Sequence, residues 1–112
     1  MDPLTWILIG SFLAGAGVGY FWDEIIAWAE RAVKAILNAI NYAIEVTSRA
    51  VLYLVRQGKR YYKTVEVYVR NIYSKSTRLD SRQEEVAETN IPQDILADLE
   101  YKQKIKVGEQ NT

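Results

Sequence analysis

Between Leu4 and Trp22 the chain runs about nineteen residues without a charged side chain, LTWILIGSFLAGAGVGYFW. As a helix this stretch is long enough to cross the hydrocarbon core of a bilayer. Trp6 lies near one end and Tyr20, Phe21 and Trp22 at the other, a spacing close to that of interfacial aromatic belts. A secretory signal would open with basic residues and close on a small-residue cleavage site, whereas this segment opens MDPLTW and closes on aromatics. The expectation is an uncleaved transmembrane anchor over residues 1–22. Arg31, Lys34, Arg49, Arg56, Lys59 and Arg60 all follow the segment and no basic residue precedes it. The positive-inside rule then places the amino terminus outside and the remainder in the cytoplasm. The competing reading is a buried helix of a soluble bundle, against which Gly10, Gly15, Gly17 and Gly19 count, since each glycine costs a helix up to about 1 kcal/mol relative to alanine.

Ser11, Gly15 and Gly19 recur every four residues and would form a small-residue stripe along which two membrane helices approach closely. Self-association of the anchor, and hence a homo-oligomer, is the corresponding expectation. With 112 residues in all, little chain remains outside the anchor to build a large independent core, which points the same way.

The formal net charge is zero, but the charges are segregated along the chain. Residues 59–78 carry Lys59, Arg60, Lys63, Arg70, Lys75 and Arg78 against Glu66 alone, whereas acids outnumber bases over residues 79–112. Cysteine and histidine are both absent. That removes disulfide frameworks, zinc fingers, thiol proteases and Ser-His-Asp hydrolysis, which need those side chains. GAGVG at residues 15–19 lacks the Lys-Ser/Thr of a phosphate loop. Asp94 and Asp98 sit one helical turn apart and Glu84 and Glu85 are adjacent, a pattern that reads as solvated acidic surface. The expectation is a non-enzyme, with no catalytic residue, cofactor or metal assigned.

From Asp23 to about Gln57 there is neither proline nor glycine, and Ile26, Ala29, Val33, Ile36, Ile40, Ala43, Thr47, Ala50 and Leu54 alternate steps of three and four. This predicts one long amphipathic helix, a segment spanning 23–58 with Gly58 as its terminator. Its apolar face is broader than one partner helix covers, so the helix bundles with sister chains, lies flat on the membrane, or packs on the rest of its own chain. Trp28 and the run Lys59, Arg60, Tyr61, Tyr62, Lys63 are the candidate lipid or partner contacts. KRYYK also has the mix of bases and aromatics found in single-strand nucleic-acid grooves, but its place behind an anchor favours lipid or protein over nucleic acid.

After Gly58, Val65, Val67 and Val69 alternate with polar residues and predict a strand. Residues 74–77 form a turn, and 78–88 return antiparallel with Ile72 near Leu79 and Val65 near Val86. Thr89 to Pro92 start a helix through Ile95, Leu96 and Leu99 to about Lys102, and residues 104–107 form a last short strand. The fold class is therefore α+β: an N-terminal transmembrane helix, a long amphipathic helix, and a small C-terminal ββαβ unit over residues 59–112. The functional expectation is a membrane-anchored, self-associating scaffold whose partners are the bilayer, other copies of itself and a cytoplasmic protein. Two alternatives use the same segments differently, a pore-forming membrane effector and a structural subunit of a helical particle or filament.

Overall fold

The computed structural model describes residues 7–8 and 18–111, with side chains described for most of residues 21–110. Within them the fold is α+β, two helices on an antiparallel sheet. The elements run β1 (Ile7–Leu8), α1 (Val18–Ala39), β2 (Glu45–Gln57), β3 (Arg60–Asn71), β4 (Thr77–Val86), α2 (Gln93–Lys102) and β5 (Lys104–Asn111). Four long strands lie in the order β5-β2-β3-β4, and β1 adds two residues beside β5 at Gly108 and Glu109. Ser11, Gly15 and most of the candidate span lie outside the described residues. Ile7 and Leu8 are strand, Gly19 falls in the first turns of α1, and no helix among the described residues is long and apolar enough to cross a membrane.

The predicted 35-residue helix is corrected here: α1 ends at Ala39 and residues 45–57 are the strand β2. Asn41 makes the break. Its side-chain Oδ1 accepts the N–H of Ala43 at 3.1 Å, and its carbonyl accepts the N–H groups of Ile44 and Glu45 at 3.1 and 2.7 Å. An asparagine that bonds its own backbone offers the chain a turn in place of another helical residue. Gly58 accordingly terminates no helix. It sits at φ +64° as the first residue of the two-residue turn between Gln57 and Arg60, where only the first position needs positive φ, as in a type II′ hairpin turn.

The ββαβ order expected for residues 59–112 is present as β3, β4, α2 and β5, but β2 lies in the middle of the same sheet, between β5 and β3. The β3–β4 register is also shifted from expectation: Tyr68 faces Leu79 and Tyr61 faces Val86, four residues from the anticipated pairs. Asn71 sets this register, because its Oδ1 accepts the N–H groups of Tyr73 and Ser74, both at 3.0 Å, and opens the turn earlier than Ser74.

Pairing and alternation sort the sheet into two faces. Ala50, Leu52 and Leu54 of β2 share one face with Tyr61, Val65, Val67 and Val69 of β3 and Ile105 of β5. Both helices cover this face. Ile25, Trp28, Ala29, Ala32, Val33, Ile36 and Leu37 of α1 are buried against it together with Ile95 and Leu99 of α2, in one continuous core. Asp23, Glu24, Arg31, Lys34 and Asn38 form the exposed side of α1. Of the three arrangements open to the helix from sequence, residues 23–39 thus adopt packing on their own chain, and the wide apolar face is consumed by the sheet. Gln103, at φ 60°, ends α2 with its N–H on the Leu99 carbonyl at 2.9 Å, and its own carbonyl accepts the N–H of Arg56 at 2.7 Å, tying α2 back to β2.

Candidate functional site

The opposite face of the sheet carries no helix among the described residues. Along β2 it presents Arg49, Val51, Tyr53 and Val55, and along β3 Tyr62, Thr64, Glu66 and Tyr68. β5 contributes Lys104, Lys106 and Glu109, and β4 contributes Leu79, Ser81, Gln83 and Glu85. Tyr53, Tyr62 and Tyr68 are all half-buried here, and Val51 beneath them is fully buried although it stands outside the helix-side core. Alternation puts these residues on one surface only because four strands are in register. No two neighbours in the sequence share it.

The cations on this face are held in a lattice. Lys104 Nζ sits 4.2 Å above the Tyr53 ring and 3.6 Å from Glu66, and the Arg49 guanidinium lies 5.9 Å from the Tyr68 ring centre. Glu109 receives Lys106 at 2.8 Å and Arg49 at 3.8 Å. The Lys106 hydrogen bond is the main reason the Glu109 carboxyl is held below its usual range, with the charges of Lys106 and Arg49 adding to it. Burial pushes the Tyr53 phenol up, Glu66 and Tyr68 reinforce the shift, and Lys104 and Lys106 oppose it. Thr64 Oγ1, within the same layer, is buried without a hydrogen-bond partner.

The contact residues expected from sequence divide between the two faces. Trp28 and Tyr61 are buried, 8% and 7% exposed, within the helix-side core, which corrects their assignment as lipid or partner contacts. A tryptophan beside exposed acids on an amphipathic helix cannot be told from an interfacial one until the surface it packs on is known. Lys63 also points to the helix side, 5.0 Å above the Trp28 ring and 3.7 Å from Glu84. Lys59 and Arg60 are exposed at the β2–β3 turn, and of the run KRYYK alternation puts Tyr62 on the helix-free face with Arg60 at its end. The run is therefore not one contiguous patch, since period two sends alternate residues to opposite sides. Tyr53, Tyr68 and Arg49 escape sequence reasoning as members of this surface; the signal available is the cluster of β-branched and aromatic residues in EVTSRAVLYLV, which favours a strand.

Among the described residues no group of three or more His, Cys, Asp or Glu side chains is placed to hold a metal ion. A shallow groove between the end of α1 and β4 is lined by Ile36, Ile40, Arg78, Asp80 and Arg82. No family model, curated protein or solved structure matches this chain.

Proposed function

We propose that this chain is a membrane-anchored, self-associating scaffold that docks a cytoplasmic protein on the helix-free face of its sheet. The observation that carries the docking reading is the set Tyr53, Tyr62 and Tyr68, half-buried on a surface that no described element covers. Tyrosine and arginine over a small aliphatic floor, here Val51 and Val55, are the residue types enriched at protein interfaces. A protein fits this face better than nucleic acid. Arg49, Lys104 and Lys106 are already matched by Glu66 and Glu109, so little uncompensated positive charge is left for a phosphate backbone.

Support for the anchor comes from the uncharged stretch Leu4–Trp22 and its flanking aromatics, and support for self-association from the stripe Ser11, Gly15 and Gly19. In this reading the amino terminus lies outside and the sheet faces the cytoplasm, which requires Ile7 and Leu8 to leave their pairing with β5 when the segment enters the bilayer.

A photo-reactive residue placed at Tyr62 or, as a control, at Lys34 on the exposed side of α1 tests the docking face in cells. A discrete protein adduct from position 62 and none from position 34 supports it; lipid adducts alone, or equal labelling from both positions, count against it. Carbonate washing of the same membranes tests the anchor, because release into the wash removes the spanning segment from the reading.

A further inference from the structure

We infer that the free edge of β4 pairs antiparallel with β4 of a second copy about a two-fold axis at Ser81, joining two sheets into one. β4 is the last strand in the order β5-β2-β3-β4, and its pairing with β3 runs without a register shift from Arg70–Thr77 to Tyr61–Val86. Its outer backbone groups face no described strand. The strand contains no proline and no bulge, the usual devices by which an edge avoids a partner. Charged residues facing inward are a third such device, and β4 has them: Arg78, Asp80, Arg82 and Glu84 share the helix side. Their signs decide whether they repel a second copy or select one.

In a two-fold pair centred on Ser81, Arg78 faces Glu84 of the second copy and Asp80 faces Arg82. All four contacts on that side, counting both directions, unite opposite charges. On the other side Leu79 faces Gln83 and Ser81 faces Ser81, with no like charges opposed. Moving the centre one residue reverses this. Centred on Arg82, the pair opposes Arg82 to Arg82 and Asp80 to Glu84; centred on Asp80, it opposes Asp80 to Asp80 and Arg78 to Arg82. Like charges directly opposite in a ladder are destabilising and opposite charges stabilising, which disfavours both one-residue shifts; centres at Leu79 and Gln83 also oppose unlike charges, but in two contacts where the Ser81 centre has four.

The side chains are ready for this use. Among the described residues Arg82 makes no ion pair, and Glu84 is 59% exposed with only a 3.7 Å approach to Lys63. Arg78 Nη1 holds both Asp80 oxygens at 2.7 and 2.9 Å, which fixes that partly exposed carboxylate at the edge, where a second guanidinium would add to it. A second copy would extend the row Glu45, Arg78, Asp80 by Arg82, alternating in charge throughout.

The chain has no cysteine, so a single introduced thiol reports on one position. In the full-length protein in detergent, Ser81→Cys brings two thiols together at the axis, where facing Cα atoms about 4.5–5.5 Å apart are within disulfide reach. Gln83→Cys puts them four residues out of register, roughly 13 Å apart along the strand. Rapid formation of a covalent dimer on mild oxidation is expected for the first variant and not for the second. Arg82→Glu sets a second carboxylate opposite Asp80 and should abolish the cross-link when added to Ser81→Cys, and Asp80→Arg with Arg82→Asp should restore it. This interface is separate from the anchor stripe, so Gly15→Leu should leave cross-linking through position 81 unchanged. Equal cross-linking at positions 81 and 83, no cross-linking at 81, or a covalent dimer of Ser81→Cys indifferent to Arg82→Glu overturns the inference.

Discussion

Arg78 grips Glu45 at two points, Nε to Oε1 at 3.0 Å and Nη2 to Oε2 at 2.7 Å, and so joins the edge strand β4 to the first residue of β2. The same guanidinium holds Asp80. The planar fork of arginine suits this geometry and the single ammonium of lysine does not. Glu45 follows directly on the turn that ends α1, so the pair clamps the place where the chain changes from helix to strand.

The clamp makes stability depend on acid. Hydrogen bonding from Arg78 holds the Glu45 carboxyl below its usual range, with the Arg78 charge and the Asn41 backbone adding to this and burial opposing it. A depressed carboxylate contributes stability that is complete above its unfolded pKa, about 4.3, and is lost as pH falls through the lower folded value. The melting temperature should therefore fall from pH 5 to pH 3 in the native protein, and fall less in Glu45→Gln. Equal slopes for the two proteins would show that the pair adds nothing. Arg78→Lys should lower the melting temperature at pH 7.

Trp28 separates core from membrane contact. As a buried residue of the helix–sheet interface, Trp28→Ala should cost about 3–5 kcal/mol in denaturant unfolding. Leu52→Ala, at a fully buried site of β2, should cost about 2–5 kcal/mol. A Trp28→Ala protein of native stability that leaves the membrane fraction would return this residue to the lipid.

Gly58 carries a backbone requirement without a steric one. At φ +64°, with nothing within 4 Å of a built Cβ, Gly58→Ala should cost about 1–2 kcal/mol from the left-handed conformation alone. Gly58→Asn should cost less, because asparagine tolerates that conformation. Equal losses for the two would point to a role other than the turn.

Tyr53 reports on the helix-free face. Its phenol is pushed up by burial first and by Glu66 and Tyr68 next, while Lys104 and Lys106 pull it down. An absorbance titration, referenced to Tyr53→Phe, should move further upward in Lys104→Met and downward in Glu66→Gln. Movement in the opposite sense would remove Lys104 from the Tyr53 ring.

Residues after Gly58 can be read element by element because local chemistry punctuates them. The alternating valines of β3, Pro92 ahead of α2 and the short alternation at Lys104–Val107 each stand for one structure. β2 reads as helix for a physical reason. A central strand with apolar residues on both faces, here Val51, Tyr53 and Val55 as well as Ala50, Leu52 and Leu54, loses the polar alternation that marks strands, and Ala43, Thr47, Ala50 and Leu54 happen to fall at helical steps. The break at Asn41 rests on hydrogen bonds to its own side chain and carbonyl, and Glu45 just beyond it is held by Arg78 from a strand more than thirty residues away, a contact that apolar spacing does not reveal.

The order of residues alone establishes that the chain mixes helix with antiparallel strands, that thiol and imidazole chemistry is absent, and which positions of α1 are apolar. Apolar spacing and missing side chains are local properties and need no partner to be read. Folding settles the rest: Trp28 and Tyr61 turn inward, Tyr53, Tyr62 and Tyr68 gather on one face, and β4 is the last strand of the sheet among the described residues. Those outcomes depend on strand order and register, which are set by contacts between residues far apart in the chain.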